Sequence, residues 1–136
     1  MQSSAFQFKT PVMRKAVFQV NEGFQNEDGG IEMPASISTR MCVDDDASTA
    51  YVEIEVLVGE KTKKYPFYAA VSYGADFRWK PGTFDGERLE RLLSQNAPAL
   101  LLGYVRVAIA TLTNFSPYPS YNLPFVDLTK EMQQNS

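Results

Sequence analysis

From Ile31 to Met41 the chain alternates. Ile31, Met33, Ala35, Ile37 and Met41 fall on one side, and Glu32, Ser36, Ser38 and Arg40 on the other. A period of two predicts a half-buried β-strand. Tyr51 to Val58 repeats the pattern, with Val52, Ile54, Val56 and Val58 inward and Glu53 and Glu55 outward. Val12 to Val20 offers Val12, Ala16, Phe18 and Val20 to one face, and Tyr65 to Tyr73 is aromatic and β-rich, so both read as strands. Between them lie polar breaks: a loop over Asn21 to Gly30, a turn at Asp44-Asp45-Asp46 and another over Gly59 to Lys64. Pro34 has no N–H for a ladder, which puts it at an edge or a bulge. The short turns joining the last three strands predict an antiparallel meander.

The period changes after Pro81. Phe84 to Leu93 predicts a short amphipathic helix through Leu89, Leu92 and Leu93. Asn96 then offers an N-cap, and Ala97 or Pro98 opens a second helix that runs to about Phe115. Pro117, Pro119 and Pro124 force an extended tail, with a last turn of helix over Asp127 to Gln133. The sum is one α+β domain over residues 1–136: a four-stranded antiparallel sheet with a long helix and a short helix packed on one face.

The long helix is apolar on every side. One stripe is Leu101, Val105, Ala108, Leu112 and Phe115; a second is Leu100, Tyr104 and Val107; a third is Leu102 and Ile109. Arg106 is its only charge. Such a helix is buried on more than one side. One face can pack on the sheet. Either the short helix and the Pro-rich tail cover the rest, or a second subunit does, because exposed apolar patches of this extent are rare on monomers. The second reading makes Leu101, Val105, Ala108 and Leu112 an oligomer interface, in a dimer or a tetramer.

Composition narrows the function. The 136 residues carry a net charge of −3 and no basic stripe beyond Lys61, Lys63 and Lys64, which argues against a nucleic-acid partner. Histidine is absent, and with it His-based acid–base pairs, Ser-His-Asp and Cys-His arrangements and most zinc sites. No paired catalytic groups emerge, so no enzyme, cofactor or metal is expected. Cys42 is the one cysteine, which fits a reducing compartment. The first fifteen residues lack the apolar stretch of a signal peptide, and no run reaches the ~18 apolar residues of a membrane span. The expectation is a cytoplasmic protein without membrane insertion.

Aromatic residues gather where regular structure ends: Phe24, Phe77, Trp79, Phe84, Phe115, Tyr118, Tyr121 and Phe125. Singly, each is most simply a core residue. As a set they describe a groove for apolar segments, since aromatic rings offer large rigid area with few rotors to freeze. Glu22, Glu27, Asp28 and Asp44 to Asp46 form either an acidic rim to it or a plain solvated loop and turn.

The run Asn96-Ala97-Pro98-Ala99-Leu100-Leu101-Leu102-Gly103-Tyr104-Val105-Arg106 resembles the start of the long helix of the SecB family. Pro98, Tyr104, Arg106 and Ile109 stand at matching positions. Asn122-Leu123-Pro124 is similar to that family's Asn-Leu-Ala-Pro, Val71 to Phe77 to its Val-x-x-Gly-x-x-Phe, and Val58-Gly59-Glu60 to its Leu-Gly-Glu hairpin. There are departures: Gly103 replaces a helix proline, the last proline comes one residue early, and the C-terminal helix is short.

The resemblance implies an ATP-independent holdase that binds unfolded or extended polypeptides through Phe24, Phe77, Trp79, Phe84, Phe115, Tyr118 and Tyr121. It also implies a part in protein export through the SecA translocase motor. Val58 and Glu60 match one part of the SecA contact. The acids that the family carries on its first strand have no counterpart, since Ala16 and Val20 fall near their places. Two other readings stay open: a dedicated chaperone of a toxin–antitoxin system, and a SecB-fold assembly subunit without unfolded clients.

Overall fold

In the computed structural model, residues 5–25 and 32–124 are described. The expected helical turn over Asp127 to Gln133, together with Glu27, Asp28, Ile31 and Phe125, lies outside them. Five strands form one antiparallel sheet: β1 (Phe6–Phe8), β2 (Val12–Val20), β3 (Ala35–Asp44), β4 (Thr49–Gly59) and β5 (Phe67–Trp79). The sheet is four strands wide, as the alternation predicts, because β1 and β2 share the outer edge of β5. Pro11 sits in the break between them, where the Lys9 N–H still donates to the Asp76 carbonyl at 3.0 Å.

The meander β3–β4–β5 holds, while β2 pairs with β5 and not with its sequence neighbour β3. Asn21 fixes that placement. It is buried at the end of β2, and its side-chain amide donates to the carbonyls of Glu60 at 2.6 Å and Tyr65 at 3.0 Å. The Asp44 turn forms as the sequence predicts, with the Asp44 carboxylate accepting the Ala47 N–H at 3.1 Å.

The two predicted helices are one. α1 (Gly86–Arg91) starts at an Asp85 cap, whose carboxylate accepts the Arg88 N–H at 2.7 Å. It passes through a π turn (Leu92–Asn96) straight into α2 (Ala97–Asn114). Asn96 is itself helical and makes no side-chain cap, contrary to its predicted role. The cause is Pro98. In a regular α-helix its ring would press on the carbonyl four residues back. Widening the preceding turn relieves this, and the Ala97 N–H reaches back to the Leu92 carbonyl. The continuous helix, Gly86–Asn114, is long and apolar enough to cross a membrane, yet its inner face is spent on the sheet.

α2 packs over β5 and β4. Leu101, Val105 and Ile109 are fully buried against Ile54, Val56, Val58, Ala69 and Val71. Each such side chain contributes about 1.5–3 kcal/mol on leaving water. Among the described residues no helix covers the opposite face of the sheet, which carries several charged and polar side chains. On it Arg40 pairs with Glu53 at 2.9 Å, Lys15 with Glu55 at 3.4 Å, and the Tyr51 hydroxyl donates to Glu53 at 2.8 Å.

Two glycines should respond oppositely to alanine. Gly59 ends β4 at φ +74°, and a Cβ there would strike the Phe67 carbonyl oxygen. Gly103 lies mid-helix with open space around it. Gly59→Ala is expected to cost about 1–3 kcal/mol, and Gly103→Ala to add about 0.5–1 kcal/mol. Urea denaturation midpoints measure both.

Candidate functional site

The predicted aromatic set divides between the two ends of β5. At one end, Phe6 stacks on Phe77 at 5.6 Å between ring centroids and lies 6.5 Å from Trp79. Phe84 meets Phe6 edge-on at 6.2 Å, Phe8 tilts against Phe77 at 5.9 Å, and the Arg88 guanidinium lies 5.4 Å from the Phe84 ring. Phe77 and Trp79 are buried, because β5 continues past Tyr73 and carries both into the sheet. They are the floor of this cluster and not an open surface. Phe8, 48% exposed, is its outward member. A cleft of about 530 Å³ opens beside it, lined by Gln7, Phe8, Lys9, Thr49, Asp76 and Arg78.

At the other end Phe18 and Tyr121 flank Phe67, at 5.4 and 6.1 Å, and Phe24 meets Tyr118 edge-on at 6.1 Å. Phe24, Tyr118 and Tyr121 are half-buried, and burial raises the Tyr121 pKa above its ordinary value. Phe115 stands apart from both clusters at the end of α2, 83% exposed. Phe67 and Phe77, at the centres of the two clusters, lie ten residues apart on β5, about 33 Å along the strand.

The tail is tied back along α2 by polar atoms. Thr113, fully buried, donates to the Ile109 carbonyl at 3.0 Å and accepts the Tyr121 N–H at 2.7 Å. Ser120 donates to the Ala110 carbonyl at 2.9 Å, and Arg106 to the Leu123 carbonyl at 2.8 Å. Arg106 therefore holds the tail within its own subunit.

The predicted oligomer stripe is turned inward. Leu101 and Val105 are fully buried, Ala108 is buried and Leu112 half-buried, all on the subunit's own sheet or core. The second stripe faces outward: Leu100 is half-buried, Tyr104 is exposed while leaning on Tyr73 at 5.7 Å, and Val107 is 68% exposed. Val58 is fully buried on the helix side and offers nothing to a partner. Glu60 is exposed, beside Lys61 and Tyr68 on a cleft of about 460 Å³.

Sequence reasoning placed Phe18 on a strand face but not in the aromatic set, and it missed the roles of Phe6, Phe8, Asn21 and Thr113. The alternation Phe6-Gln7-Phe8 was a usable strand signal for the first two. Single polar residues such as Asn21 and Thr113 leave no periodic trace.

Thr113→Val should keep the helix and strand Tyr121. Its N–H loses a buried acceptor, at a cost of about 1–3 kcal/mol. Amide hydrogen exchange is expected to rise at Tyr121 and Leu123 while the strand amides stay protected.

No family model matches the chain, and no curated protein matches it by sequence. The Mycobacterium tuberculosis SecB-like chaperone, solved in complex with a peptide from an antitoxin, superposes with a TM-score of 0.72. The two share 17% identity, and the match covers 90% of this chain and 91% of the other. A protein of unknown function from Streptococcus agalactiae matches at a TM-score of 0.49 and 14% identity, over 88% of this chain and 97% of that one. With its β1/β2–β5–β4–β3 order and one long helix laid across it, the chain has the SecB-like fold.

Proposed function

We propose that this chain is a cytoplasmic, ATP-independent holdase for extended polypeptides. The observation that carries the reading is apolar surface left open: exposed Phe8 beside its cleft at one end of β5, and exposed Phe115 at the end of α2. Apolar area kept in water on a folded subunit is what a passive binder of apolar segments needs. The SecB-like neighbour was solved with a peptide from an antitoxin, which supports a polypeptide as the ligand class.

Docking to a SecA motor has little support. Val58 is buried, and the sheet-face acids Glu53 and Glu55 are already paired with Arg40 and Lys15. We therefore place the activity outside the export path, with an antitoxin or other nascent chain as client.

The chaperone should suppress aggregation of a refolding model client without nucleotide, and should keep doing so at moderate salt, because the contacts are apolar. Phe8→Ser with Phe115→Ser, both at exposed positions, should weaken capture about tenfold, equivalent to about 1.4 kcal/mol. No suppression even with chaperone in excess would remove the holdase reading and favour an assembly subunit.

The outward helix stripe also calls for a cover, and a second subunit supplies it in this reading. Light scattering should give a dimer or tetramer for the wild type. Val107→Glu should lower the mass without unfolding, because Val107 is 68% exposed and outside the core cluster. A wild-type monomer at micromolar concentration would end that proposal.

A further inference from the structure

Beyond α2 the chain returns along the helix without forming a helix or a strand of its own. Its polar contacts fall on one seam. Arg106, Ala110 and Thr113 follow at intervals of four and three, so they share a face of α2. They meet Leu123, Ser120 and Tyr121 respectively.

Two of the three bonds reach main-chain atoms. The Arg106 guanidinium donates to the Leu123 carbonyl at 2.8 Å, and the Thr113 hydroxyl accepts the Tyr121 N–H at 2.7 Å. Every residue has such a carbonyl, and every residue except proline has such an N–H. Only Ser120 uses a tail side chain, donating to the Ala110 carbonyl at 2.9 Å from an exposed position. The seam therefore grips an extended backbone more than a particular sequence. Thr113 is its fixed part. It is fully buried, and its proton goes to the Ile109 carbonyl at 3.0 Å, which leaves the oxygen to accept. A buried acceptor of this kind takes an N–H from whichever chain brings one.

Side chains add a period of two. Tyr121 is half-buried with its ring 6.1 Å from Phe67, Asn122 is exposed, and Leu123 is 1% exposed within the core cluster. In an extended chain, residues two apart point the same way. Main-chain hydrogen bonds with pockets for alternate side chains are a general means of holding a peptide. The tail thus lies on α2 as a bound peptide lies on its receptor. Its other anchors are few. Pro117, Pro119 and Pro124 bring no N–H, and among the described residues no strand pairs with the tail.

We propose that the Arg106–Ala110–Thr113 seam is a binding site for an extended polypeptide with large apolar residues two apart, and that Tyr121 to Leu123 fill it as a built-in competitor. Its use as a client site rests on the holdase reading. A tethered segment has a high effective concentration at its site, so a client enters only as the tail lifts.

The probe is a fluorescein-labelled peptide of the tail's own residues 116–124. The control is the same peptide with serine in place of Tyr121 and Leu123. In a Cys42→Ser background, Ala110→Cys with Ser120→Cys sets two thiols where the Ser120–Ala110 bond already holds the segments together. Oxidised to the disulfide, that full chain has its tail locked down. Fluorescence anisotropy should show the reduced form binding the probe about tenfold more tightly than the oxidised form, and neither form binding the control. Tyr121→Ser with Leu123→Ser should likewise bind the probe about tenfold more tightly than wild type. Should that variant fail to fold, the locked chain decides alone. In wild type, saturating probe should speed amide exchange at Tyr121 while the strand amides stay protected. Equal affinities of the oxidised and reduced forms, or a control that binds like the probe, would overturn the proposal. Aggregation suppression that ignores the lock would leave the holdase reading standing without this site. Lock-sensitive probe binding with no suppression would leave the peptide site standing and remove the holdase.

Discussion

One helix has to cover a sheet wider than itself. With side chains α2 is about 10–12 Å across, while four strand positions span about 19 Å at ~4.8 Å each. The helix lies over β4 and β5, where burial is complete. The margins are left to other devices or left open. On one side Phe8 and Met13 stay exposed, on the other Met41 and Val43. The exposed apolar surface of the described residues arises here from a mismatch of widths.

Polar pins then set how far the tail can help. Thr113, Ser120 and Arg106 bring residues 120–123 back along α2, and Leu123 enters the core. Asn21 does the same for the crossing from β2, tying it to the β4–β5 turn. Thr113 and Asn21 are buried, Arg106 half-buried and Ser120 exposed, and each acts as a positional lock more than as a source of net stability. The aromatic cluster around Phe67 depends on both locks, because Tyr121 arrives with the tail and Phe24 follows Asn21.

The sheet was legible in the sequence where one face is dry and the other wet. Val52, Ile54, Val56 and Val58 alternate with Tyr51, Glu53, Glu55 and Leu57, and β4 follows. The end of β5 was not legible. Gly74 and Asp76 look like a break, but the Tyr51 side chain lies over Gly74 and takes the room its own would have used. The helix was recognisable as apolar all round, yet its three stripes are too alike for hydrophobicity alone to choose the inner one. Packing chose Leu101, Val105 and Ile109 and turned Tyr104 and Val107 outward. The candidate aromatics were half legible: their identity was visible, but the separation into two clusters follows from strand length and the return of the tail.

The π turn has a consequence for chain length. A π turn stores one residue more than a regular helix without rotating the segments on either side. A chain lacking one residue among Leu92 to Asn96, and without a proline at position 98, would close into ordinary helix and still present Leu101, Val105 and Ile109 to the sheet. Proteins of this shape can therefore differ by a single residue just before the long helix while keeping every face of it in place.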